Sequence, residues 1–164
     1  MGKTFDFQFV IQELIPATQE AFQSDGFDQK IRKQESEAIK AFRGTLSKVL
    51  DEELKSNKQF PSKKGIFVFV LQHFASQREY ESRDVDNMAK TILDLLRGRF
   101  YDDDKQVLTL LISKRIDKRI PDNLAYCAIK ETSPEHDVEP VKICNVENAV
   151  RLYVEAKRRQ SQAT

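Results

Sequence analysis

Phe5, Phe7, Phe9 and Ile11 alternate with polar or smaller residues, and this period of two predicts a half-buried strand near the start of the chain. Pro16 and the turn signal Ser24-Asp25-Gly26 interrupt the alternation. Asp28 is placed to cap a helix beginning near Gln29. Ile31, Ala38, Phe42, Leu46, Val49, Leu50 and Leu54 then recur at helical spacing, so the helix is expected to reach Lys55 with those residues buried. Ile66-Phe67-Val68-Phe69-Val70-Leu71 is apolar on both faces, the pattern of a central strand covered on both sides. Ser76 to Arg83 is polar and reads as a loop. Met88, Ile92, Leu95 and Leu96 form a helical stripe over Asn87–Arg97, with Gly98 suited to its end and Asn87 to its start.

Val107 to Ile116 is strongly β-forming, with Leu108, Leu110 and Ile112 on one face. Pro121-Asp122-Asn123 is a turn signal and Leu124 to Ile129 a partner strand, so the two are expected to form an antiparallel hairpin. Asn145 is placed to cap a last helix with Val146, Ala149, Val150, Tyr153 and Val154 on one side. The order β-α-β-α-β-β-α predicts an α+β fold in which helices pack on a mixed β-sheet. The expected division is a main domain over residues 1–131 and a C-terminal extension with a helix over 132–164.

A chain of 164 residues can bury a core without disulfide staples. No segment has the uninterrupted apolar length of a membrane helix, and Met1–Asp6 carries no apolar signal region. Cys127 and Cys144 lie in no CxxC pair. Both read as reduced thiols, Cys127 in the core, and the expected location is cytoplasmic. The net charge of +1 is not that of a dedicated non-specific nucleic-acid binder. Its distribution is uneven, with basic residues concentrated in Lys30–Lys64, Lys114–Arg119 and Lys157–Arg159.

The acids change the picture more. Asp84-Val85-Asp86-Asn87 enters the second long helix, and Asp102-Asp103-Asp104 precedes the next strand. Alternate carboxylates are poor core material and good ligands for a hard divalent cation, which prefers oxygen. Each group also has a structural explanation: Asp86 or Asn87 as a helix cap, Asp84 at the positive helix end, and the later acids as a charged turn. An extended segment from Gly98 to Asp104 spans up to roughly 23 Å, enough to run back along a helix about 16 Å long. That reach favours Asp104 as the acid that meets Asp84 and Asp86 around Mg²⁺. Lys90, four residues after Asp86, suits either an ion pair with it or a phosphate whose developing charge it stabilises. A calcium loop starting at Asp84 fails, because Ala89 and Leu95 stand where it needs Gly and Glu. There is no GxxxxGK[ST] loop, no zinc-ligand spacing around His73 or His136, and no credible Ser-His-Asp set.

Asp84-Val85-Asp86-Asn87-Met88-Ala89-Lys90, then Asp94, then Asp103-Asp104-Lys105-Gln106-Val107, resembles the RusA family of Holliday junction resolvases. The order of elements up to Ile129 looks similar as well. The resemblance implies a homodimer that nicks two opposed strands of a four-way DNA junction in recombination and repair. It implies that Asp84, Asp86 and Asp104 bind Mg²⁺, or Mn²⁺, and that Lys90 assists cleavage. Arg78, Arg83, Lys114, Arg115, Lys118 and Arg119 are the candidate phosphate contacts. Pro16–Phe22 carries no Lys or Arg where family members have a basic loop. Two further readings therefore stay open: a catalytically weak protein that binds branched DNA, and a nuclease for flaps or single strands.

Overall fold

The computed structural model describes residues 5–17 and 37–135, and its sheet is built around the strand with the densest apolar run. That strand, β2 (Gly65–His73), lies between a parallel neighbour, β3 (Val107–Arg115), and an antiparallel one, β4 (Leu124–Thr132). β1 (Phe7–Ile11) joins the far side of β4, giving the order β1-β4-β2-β3. The described helices are α1 (Glu37–Ser56), the short α2 (Gln77–Glu81) and α3 (Val85–Leu96), with one 3₁₀ turn at Asp104–Gln106. The fold is α+β with a mixed sheet, as the sequence predicts.

Periodicity decides what each element buries. Phe7, Phe9 and Ile11 of β1 point to the core while Gln8 and Val10 are exposed. Phe42, Leu46 and Leu50 of α1 share one core with Met88, Ile92, Leu95 and Leu96 of α3 and with Ile66, Val68 and Val70 of β2. Burying each such large apolar side chain stabilises the fold by about 1.5–3 kcal/mol relative to exposure. Ala38, expected in this stripe, is exposed at the first turn of the described helix. Ile31 and the proposed cap Asp28 lie outside the described residues, as do the last predicted helix and Cys144.

β2 is central and covered on both faces, as its pattern predicts: Ile66, Val68 and Val70 enter the core shared with α1 and α3, while Phe67 is fully buried and Phe69 half-buried on the second face. There the Phe5 ring stacks on Phe67 and Phe69, with centroids 6.1 and 6.4 Å apart. Three other expectations are corrected. β3 and β4 do not form a hairpin, because β2 lies between them. The β2-α3-β3 crossover makes β3 parallel to β2 on one side, and the chain then crosses to pair β4 on the other. Leu108 does not share the face of Leu110 and Ile112: the register shifts at Ile66/Phe67, and Leu108 is exposed. Finally, the polar stretch after β2 contains α2. Its cap is Ser76, whose hydroxyl accepts from the Glu79 N–H at 3.3 Å. The Ser-x-x-Glu spacing is a helix-start signature, yet the helix buries nothing and so shows no apolar stripe.

Candidate active site

Asp84 takes the N-cap position of α3 in extended conformation, and its carboxylate makes no capping hydrogen bond. Asp86 lies in the first turn, so the helix starts before Asn87. Asp84, Asp86 and Lys90 are all exposed. Among the described residues none of these three side chains enters a hydrogen bond or ion pair, including the pair anticipated between Asp86 and Lys90. Asp86, Lys90, Asp94 and Arg97 share one exposed side of α3, at spacings of four, four and three residues.

The three later acids have separate tasks. Asp102 forms an exposed ion pair with Lys63. The Asp103 carboxylate accepts from the Lys105 N–H at 2.9 Å, and Gln106 Oε1 accepts from the N–H of Asp102 and Asp103 at 2.8 and 3.0 Å. This reciprocal cap forms the 3₁₀ turn. Gln106 Nε2 then donates to the carbonyls of Ser62 and Lys64 just ahead of β2. Asp104 meets Arg97 at 3.5 Å, both half-exposed.

Asp104 is therefore at the end of α3 opposite to Asp84 and Asp86. Twelve helical residues separate the ends, about 18 Å at roughly 1.5 Å per residue. The segment after α3 does not extend back along the helix. Phe100 N–H bonds Leu96 O at 3.0 Å and Gly98 N–H bonds Tyr101 O at 2.7 Å, with Gly98 at a φ of 79°. Phe100 and Tyr101 enter the core, and the Tyr101 hydroxyl donates to Leu93 O at 2.7 Å. Burying two aromatic rings folds the segment into a tight turn, and the reach available to an extended chain goes unused. Burial raises the Tyr101 pKa, and the nearby Asp104 and Asp94 carboxylates raise it further. Among the described residues, no group of three or more His, Cys, Asp or Glu side chains is placed to hold a metal ion. Among the described residues of one chain, the carboxylates do not gather into a complete site for a hard cation.

At the Asp84 end, a clamp orders the loops. His73 is buried, its Nε2 accepting from the Asp117 N–H at 2.8 Å and its Nδ1 lying 3.0 Å from Asp122 O. Asn123 accepts from the Ala75 N–H at 2.8 Å and donates to Glu79 at 3.0 Å. Hydrogen bonds from Ser76 and Asn123 hold the Glu79 carboxyl below its usual range. Neither His73 nor Asn123 was singled out as a positioning residue from sequence. Nothing in their local spacing announces the contacts, which span more than forty residues.

The family model described as endodeoxyribonuclease RusA matches residues 14–123. The chain belongs to the RusA family. The match spans both acidic groups, Lys90, and the helix between them. No curated protein matches the chain. No helix among the described residues is long and apolar enough to cross a membrane.

Within this RusA-family chain, Arg78 and Arg83 follow β2, Lys114 and Arg115 end the parallel β3, and Lys118 and Arg119 follow it, so all six candidate phosphate contacts lie toward the Asp84 end of α3. Arg78, Arg115 and Lys118 are exposed. Arg119 is held by Asp117, two residues away, with Nε to Oδ1 at 2.9 Å. The same guanidinium keeps the Asp117 carboxyl well below the usual carboxylate range. Arg83 is half-buried and donates to Ile15 O at 3.1 Å. Lys114 is half-buried and donates to two backbone carbonyls, so it is not presented to a phosphate as the sequence suggested.

Proposed function

We propose that the chain is a divalent-metal-dependent endodeoxyribonuclease that nicks four-way DNA junctions, with Asp84, Asp86, Lys90 and Asp104 as its catalytic set. The observation that carries this reading is the exposed trio of Asp84, Asp86 and Lys90, which makes no internal pairing among the described residues in a chain of an endodeoxyribonuclease family. Charges that stabilise nothing within the fold are free for a ligand. Arg78, Arg115 and Lys118 supply exposed positive charge at the same end of α3, suited to a phosphate backbone.

The separation of Asp104 from Asp84 and Asp86 supports a homodimer. A two-fold axis across the exposed side of α3 reverses the helix in the second copy, which brings each Asp104 toward the other copy's Asp84 and Asp86. Asp86, Lys90, Asp94 and Arg97 alternate in sign along that side, so reversed copies oppose unlike charges. Two centres related in this way suit a substrate in which two strands are cut.

Mixing two inactive variants tests the reading. An Asp84→Asn/Asp86→Asn chain and an Asp104→Asn chain are co-refolded and assayed on a four-way junction with Mg²⁺. If the set is shared between copies, the mixed dimer regains one intact centre and nicks one strand. If the set is confined to one chain, no mixture cleaves. Flap and plain duplex substrates in the same assay separate junction specificity from general cutting, and tight junction binding without cleavage in the wild type would favour a binding protein.

A further inference from the structure

We propose that Lys114 is a positioning residue for Asp84 and Asp86, acting through the backbone of the segment that carries them; this rests on the reading of those aspartates above. Lys114 is near the end of β3 and pairs in register with Gln72 of β2. Its ammonium donates to the carbonyl of Tyr80, in α2, and to that of Arg83 at 2.6 Å. Arg83 is the residue immediately before Asp84. The ammonium also sits 4.1 Å from the centre of the Tyr80 ring and 5.6 Å from that of Phe74. Those two rings meet edge to face at 5.5 Å, with Phe74 fully buried.

An ammonium has three donors and no acceptor. Two carbonyls take two of them, and two ring faces lie around the charge. The arrangement joins the last strand of the crossover to the two turns of chain ahead of α3. Asp84 makes no side-chain capping bond, so its own carboxylate does not pin the helix start. The position of Asp84 and Asp86 then depends on the backbone before them, and Lys114 fixes that backbone against the sheet. A shift of about 1 Å at a reacting group is enough to cost on the order of 100-fold in rate.

The test compares Lys114→Met, Lys114→Gln and Lys114→Arg with wild type on a four-way junction in Mg²⁺. Lys114→Met is expected to lower kcat at least tenfold while junction Kd stays within about threefold, since no phosphate contact is removed. Lys114→Arg, which keeps the charge and the donors, is expected to recover most of the rate. Lys114→Gln keeps an N–H donor and part of the stem, and it stands in if Lys114→Met does not fold. Amide exchange over residues 82–86 reads the positioning directly and is expected to quicken in the Met and Gln variants. A kcat within twofold of wild type, a loss confined to Kd, or unchanged exchange over 82–86 would overturn the proposal. Wild-type cleavage by Asp84→Asn and Asp86→Asn sinks the site reading instead, and the exchange result then stands on its own.

Discussion

The Asp104 carboxylate meets the Arg97 guanidinium at 3.5 Å, at the end of α3 remote from Asp84. The link is weak by the standards of exposed pairs, which contribute about 0–1 kcal/mol. It therefore leaves Asp104 available to another partner. It also shows that α3 acts as a spacer between the two acidic groups.

Asp84→Asn and Asp86→Asn separate activity from stability. Both side chains are exposed and unpaired among the described residues, so each variant is expected to keep its urea midpoint, with a stability change within about 0.5 kcal/mol. Junction nicking is expected to fall by at least about 100-fold, or ~2.7 kcal/mol in the barrier. A variant that cuts at half the wild-type rate would remove that aspartate from the catalytic set.

Tyr101→Phe is expected to destabilise the fold by about 1 kcal/mol through loss of its bond to Leu93 O, with the ring's packing kept. The same bond fixes the turn that leads to Asp104. Thermal melting reads the first effect, and exchange over residues 98–104 reads the second. A melting curve superimposable on wild type would show that water replaces the bond without cost.

His73→Leu removes the acceptor of the Asp117 N–H and leaves Asp122 O without its ring partner. Losing a buried acceptor costs about 1–3 kcal/mol. Exchange is expected to quicken through residues 116–123, and junction affinity to weaken because Lys118 lies on that loop. Urea denaturation together with junction titration at fixed salt checks both outcomes. Unchanged exchange in the loop would mean that Asn123 alone orders it.

Burial pushes the Cys127 thiol up to about 12, from an ordinary value of 9.0. The unfolded chain then loses this proton first as pH rises. The thiol's contribution to stability is fully present below pH 9 and declines from there toward about pH 12. In a Cys144→Ser background, alkylation at pH 8 is expected to be slow in the folded protein and fast in urea. Equal rates in both conditions would place Cys127 at the surface.

The sequence made the strands and long helices legible where period alone decides them. Phe7, Phe9 and Ile11 alternate cleanly, and Met88, Ile92 and Leu95 fall on one face of α3. Strand partners were not legible. Val107–Arg115 and Leu124–Thr132 are neighbours in the chain with a turn signal between them, yet each pairs with β2. Nothing local in an apolar strand records which edge it will meet. The acids were legible as chemistry, while their separation was not, because it follows from Phe100 and Tyr101 folding into the core. Lys114 read as one more candidate phosphate contact for a similar reason. Its partners are carbonyls more than thirty residues away, and carbonyls leave no trace in a sequence.

The pairing of β1 with β4 sets an order on synthesis. Phe7 is in register with Ile129 and Ile11 with Ala125. While the chain is being made, β1 emerges first and has no strand to join until β4 has left the ribosome. Its buried face, Phe7, Phe9 and Ile11, must wait through nearly all of the described fold. Contacts so distant in sequence form slowly, and an apolar strand left waiting is prone to wrong pairing. The sheet closes only when its last strand is released, so a nascent chain stopped short of β4 presents a sticky first strand to chaperones.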